Sequence, residues 1–113
     1  MDWNFPKMLA ADAHVTIGSD WGAGESPDIL PCLDGIVDGV GGGDRAVGGA
    51  KICRMLTMAG AEAVGKEKET GSIEVGKRAN FIVVNRDLSR GEFEGAKVLT
   101  TWFEGEIVYE AAK

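Results

Sequence analysis

One histidine, two cysteines and three prolines are scattered through 113 residues, and aromatic side chains make up only 7% of them. Each scarcity removes a class of protein. Cys32 and Cys53 lie 21 positions apart with no C-x-x-C unit, so a zinc ribbon or a dithiol redox motif is excluded, and reduced, buried thiols are expected. His14 stands alone, leaving no histidine pair to ligate a metal. Few aromatics mean no stacking platform for nucleic acid. Basic residues are outnumbered, 12 against 18 acidic, for a net charge of -6. A protein that grips phosphate backbones needs the opposite balance, so no nucleic-acid partner is expected. No apolar run approaches the roughly 20 residues of a membrane span, so no membrane partner is expected either. The N-terminus lacks the basic start, apolar run and small-residue cleavage site of a secretory signal, which points to the cytoplasm.

What is present suits a folded chain: 44% hydrophobic residues is too many for a disordered acidic tail. The length allows one domain, or a piece of a larger one. "FPKMLAADA" places Phe5, Met8, Leu9 and Ala13 on one helical face. "VTIGS", residues 15 to 19, reads as a short strand that stops at Asp20. A helix feeding directly into an apolar strand is half of an α/β unit.

From Asp20 to Gly49 the chain is rich in loop residues, with a short amphipathic helix allowed within "ILPCLDGIVDGV". The glycines fail both phosphate-binding patterns. Lys51 is followed by Ile52 instead of Ser or Thr, and Asp44 stands where a third dinucleotide-loop glycine belongs. "GGGDRAVGG" is therefore expected to be a flexible connection. Residues 50 to 64 are the best helix, with Ile52, Met55, Leu56, Ala59 and Ala63 in one stripe and Gly65 placed to cap it. Met55 and Met58 fit gap-filling core better than a soft-metal site.

Past "KEKET" the pattern turns to β. "NFIVVN" is continuously apolar, as in a strand covered on both faces. "KVLTTWF" and "EIVYE" flank Glu104-Gly105, a two-residue hairpin turn. Residues 80 to 85, 97 to 103 and 106 to 109 are the expected strands.

Asp20 is open to two readings on its residues alone: a turn-capping carboxylate, or a catalytic one whose partners lie elsewhere. The order of "VTIGSDW", "MLTMAGAEAVG", "TGSIEVGKRANFIVVNRD" and "KVLTTWFEGEIVYE" resembles the C-terminal part of a metal-dependent amidohydrolase, closest to the amidohydrolase 3 subfamily. The resemblance runs from about Pro6 to Tyr109. It implies an α/β fold: the last strand and helix of a (β/α)₈ TIM barrel in residues 1 to 65, then the C-terminal strands of a composite β-sandwich in residues 66 to 113. Asn80 and Asn85 depart from the family's usual aspartates, both in the sandwich.

Under that resemblance Asp20 sits at the C-terminal end of the last barrel strand, where barrel active sites are built. There it would be a metal ligand and the catalytic carboxylate that takes a proton from water attacking a non-peptide carbon–nitrogen bond. Trp21 would wall a small-molecule substrate pocket or fold over the barrel rim. His14, six residues earlier, would be roughly 20 Å away along an extended strand and structural. The implied cofactor is a divalent metal, with zinc the expected ion. A catalytic zinc takes three protein ligands, however, and the family's other ligands come from earlier strands that this sequence does not contain. The chain is therefore expected to hold no metal and to be inactive by itself. It would be a C-terminal fragment, half of a split enzyme completed by an N-terminal half, or a non-enzymatic interaction module that associates with itself or a partner.

Overall fold

A computed structural model describes residues 4–19 and 28–112. Helix α1, Phe5–Ala10, begins with Pro6 in its first turn, where a missing N–H costs nothing. Residues 13–19 follow as irregular backbone. A 3₁₀ turn, Pro31–Gly35, leads into the short helix α2, Val37–Val40. Helices α3, Arg45–Leu56, and α4, Met58–Ala63, come next. Then β1, Phe81–Val84, a 3₁₀ turn at Leu88–Arg90, β2, Val98–Phe103, and β3, Glu106–Glu110, complete the chain.

The strand expected at Val15 to Ser19 does not form among the described residues. A strand exists through cross-strand hydrogen bonds, and no described segment pairs with this one. Its side chains nevertheless alternate as a strand's would: Val15 and Ile17 are half-buried against the core, while Thr16 and Gly18 face out.

The expected helix at 50 to 64 is longer and broken. It starts at Arg45 because the Asp44 carboxylate accepts the N–H groups of Ala46 and Val47, an N-cap. It breaks at Thr57, whose hydroxyl donates to the Cys53 carbonyl at 2.6 Å and whose backbone leaves the helical region at φ -124°. Gly65, at φ +72°, ends α4 with its N–H on the Glu62 carbonyl and the Lys66 N–H on the Ala61 carbonyl.

"GGGDRAVGG" is not a flexible connection. Gly48 and Gly49 are buried inside the first turns of α3. A Cβ on Gly48 would collide with the Val37 carbonyl, and one on Gly49 with the Gly91 N–H and Leu88 carbonyl. These glycines let α3 lie directly on the backbones of α2 and the Leu88–Arg90 turn. The core beneath is Leu33, Val37, Val40, Ile52, Met55 and Phe93, with Phe93 fully buried. Phe93 arrives from the excursion between β1 and β2, so the second half of the chain is anchored in the helical core.

The sheet runs β1-β2-β3, antiparallel throughout. Phe81 opposes Trp102, and their rings stack with centroids 5.5 Å apart. Glu104 and Gly105 both take positive φ, the turn that matches strand twist. β1 is not covered on both faces as its apolar run implies: Ile82 is 46% and Val83 43% exposed, and they point to opposite sides. Nothing among the described residues packs over them fully. The cysteines are both free, but Cys32 is exposed and Cys53 only part-buried, because the apolar stripe of α3 runs through Ile52 and Met55.

Candidate functional site

Asp20 and Trp21 lie outside the described residues; the structure defines what leads into them and out of them. On the entry side, Val15 and Ile17 are held by core packing. On the exit side, the Asp28 carboxylate accepts the Leu30 N–H at 3.1 Å, and Leu30 and Leu33 are buried. Arg45 then fixes this stretch. Its guanidinium donates to Asp34 at 2.5 Å, to Asp38 at 3.0 Å and to the Gly91 carbonyl at 2.9 Å. Desolvation pulls its pKa down, and the hydrogen bonds and charges of Asp34 and Asp38 outweigh that to give a net rise. One side chain thus ties together three segments.

His14 has the structural role expected of it. Its Nε2 lies 2.7 Å from the Ala59 carbonyl, donating across 45 residues to the first turn of α4. It meets no second ligand among the described residues. Among the described residues no group of three His, Cys, Asp or Glu side chains could hold a metal ion. A catalytic zinc takes three protein ligands, and the described residues do not by themselves supply such a set. Burial pushes the Cys53 thiol pKa up and the charge of Asp87 adds to the rise, away from a thiolate.

The segment "TGSIEVGKRAN" folds around a residue that the sequence alone did not single out. The Lys77 side chain is 11% exposed, and its ammonium meets Ser72 Oγ at 2.7 Å, Glu74 at 3.0 Å and the Thr70 carbonyl at 3.5 Å. It also reaches the Met58 sulfur at 3.7 Å, which joins this loop to α4. Glu74 is held below its ordinary pKa by the Ser72 hydroxyl first and by Lys77 second. Arg78 bridges to Glu104 in the hairpin turn at 2.7 Å, and that contact, with the charge of Glu69, raises its pKa. Asn80 Oδ1 accepts the Glu104 N–H at 2.8 Å, and Asn85 Oδ1 accepts the Lys97 N–H at 2.7 Å. Both asparagines accept a main-chain N–H through oxygen, as an aspartate would. An acid followed three residues later by Lys was the available signal for the Lys77 loop.

With this geometry in place, the chain can be set beside known proteins. The amidohydrolase family model matches residues 4–109. The chain belongs to that family. An N-substituted formamide deformylase of Arthrobacter pascens is 36% identical over 112 residues, which is 92% of this chain and 21% of that protein. A 5-methylthioadenosine/S-adenosylhomocysteine deaminase of Moorella thermoacetica is 34% identical over 70% of this chain and 19% of its own. In three dimensions the chain is similar to Escherichia coli guanine deaminase, with a TM-score of 0.68 and 22% identity over 96% of this chain and 30% of that one. The chain therefore spans about a fifth of the length of its curated relatives. Among the described residues no helix is long and apolar enough to cross a membrane.

Proposed function

We propose that the chain is the C-terminal portion of a hydrolase of non-peptide carbon–nitrogen bonds. Residues 1–65 form the end of its (β/α)₈ barrel, and residues 66–113 form the C-terminal share of its β-sandwich. Asp20 supplies one metal ligand, with zinc the expected ion, and is the carboxylate that accepts a proton in the reaction. Trp21 lines the substrate pocket. The remaining ligands belong to an N-terminal portion, and the chain alone is inactive. The observation that carries this reading is the family match from residue 4 to residue 109, which runs through "GSDW" and the Lys77 loop. Residues 15–18, unpaired among the described residues, and the half-covered faces of β1 agree with a larger assembly around the chain.

The deformylase relative supplies the test, because it is similar along nearly the whole chain. Its matching C-terminal segment is replaced by residues 4–109, and the chimera is assayed with an N-substituted formamide. A turnover that drops at least about 10³-fold in Asp20→Asn is expected, the scale of losing a group that acts only in the transition state. A folded, active chimera unaffected by Asp20→Asn would overturn the assignment of Asp20. A rival reading, a non-enzymatic module presenting its sheet to a partner, draws on the exposed apolar residues of that sheet.

A further inference from the structure

A cleft of about 250 Å³ opens between α1, residues 12–15 and the α3–α4 junction. Its floor is apolar: Leu9, Val15, Met55 and Ala59. Met55 and Ala59 are buried, and Leu9 and Val15 are packed on the core, so the floor is fixed. Charges line the mouth. Arg54 and Glu62 satisfy each other at 2.6 Å across the break between the two helices. His14 spends Nε2 on the Ala59 carbonyl. Asp12 and Lys51 remain, and neither side chain has a hydrogen-bond or ion-pair partner among the described residues, not even the other. Asp12 sits in the left-handed region at φ +57°, a conformation that places it on the lip of the turn after α1.

A cleft with an apolar floor, one free anion and one free cation is complementary to a zwitterion with an apolar tail. We infer that it is a binding site for a free α-amino acid with a small apolar side chain. The ammonium group meets Asp12, the carboxylate meets Lys51, and the side chain rests on Met55 and Ala59. Size agrees. At about 30 Å³ per water-sized group, the cleft takes roughly eight or nine heavy atoms, the size of leucine. Pockets for drug-sized ligands run from about 300 Å³ upward, so the cleft suits a smaller one. The site uses none of the residues assigned to the proposed hydrolytic chemistry, and the residues that line it all lie among the described ones.

L-Leucine titrated into ¹⁵N-labelled protein, at low salt where association is weakest and with light scattering on the same samples, provides the test. Saturable shifts at Asp12, Lys51 and Ala59 are expected, with a dissociation constant of about 1 mM. Isovalerate lacks the ammonium group and isoamylamine lacks the carboxylate, so each should bind at least tenfold more weakly. Asp12→Asn and Lys51→Met, both on exposed positions, should each weaken leucine tenfold, and Ala59→Leu should fill the floor and abolish binding. Circular dichroism confirms that each variant keeps its helices. The proposal is overturned if no shift saturates, if isovalerate or isoamylamine matches leucine, or if either charge variant binds leucine unchanged.

Discussion

Single residues carry more of this fold than their neighbours in sequence suggest. Phe93 sits in "GEFEG", between two glutamates, yet it is fully buried and touches the centre of the core. Phe93→Ala should cost about 3–5 kcal/mol, the usual range for emptying such a site, read as a fall in the urea midpoint. Glu74 makes a different prediction. Its folded pKa lies below the ordinary 4.5, so its contribution is fully present above that value and is lost as pH falls through the lower, folded one. Glu74→Gln should therefore flatten the acid limb of a stability–pH curve below about pH 4.5 and leave its shape at neutral pH unchanged. An acid limb identical in both proteins would refute the role given to the Ser72–Glu74–Lys77 contacts. Neither residue was legible in the sequence. Burial of one aromatic in a polar run depends on where the chain carries it, and a carboxylate's partners depend on how a loop closes.

Elements were legible where the pattern is local. The hairpin was, because alternation and a Glu-Gly turn fix the strands and the pairing beside the turn, up to the bulge that shifts the register between Thr101 and Trp102. So was the Gly65 cap, since a helix stripe followed by glycine needs nothing distant. The start of α3 was not, because Gly48 and Gly49 look like loop residues unless one knows that backbone lies against them. A paired substitution separates these cases. Gly60 is in α4 with open space beyond its Cβ position. Gly60→Ala should stabilise the chain by about 0.5–1 kcal/mol through reduced freedom of the unfolded state. Gly49→Ala gains the same propensity but drives a methyl group into the backbone of Leu88 and Gly91. Backbone cannot step aside as a flexible side chain can, so a net loss of about 1–3 kcal/mol is expected. Thermal melts of the two variants should move in opposite directions. Melts that rise together would mean that α3 does not rest on the Leu88–Arg90 turn.

At the scale of the whole molecule, the strand at 15–19 was half legible. Val15 and Ile17 turn inward and Thr16 outward as in a strand, but among the described residues no segment pairs with residues 15–18. The role proposed for Asp20 rests only on the family resemblance, because a carboxylate before a loop is ordinary turn chemistry. The same unpaired backbone leads to a prediction about the isolated chain. Among the described residues, 15–18 offer open edges, β1 and β3 each have one unpaired side, and Phe103 and Val108 are 57% and 60% exposed. Open edges and apolar area both favour association. Glu104, Glu106 and Glu110 oppose it at the hairpin, as does the net charge of -6. Charge repels at a distance and is screened within about 10 Å at 0.1 M salt, whereas an unpaired N–H or C=O can be satisfied only by water or another strand. Association should therefore win at micromolar concentration and strengthen as salt is added. Light scattering at two salt concentrations measures this. A monodisperse 11.9 kDa monomer with a cooperative melt would show that the chain closes its own core, and the interaction module would then explain it better than a portion of a hydrolase.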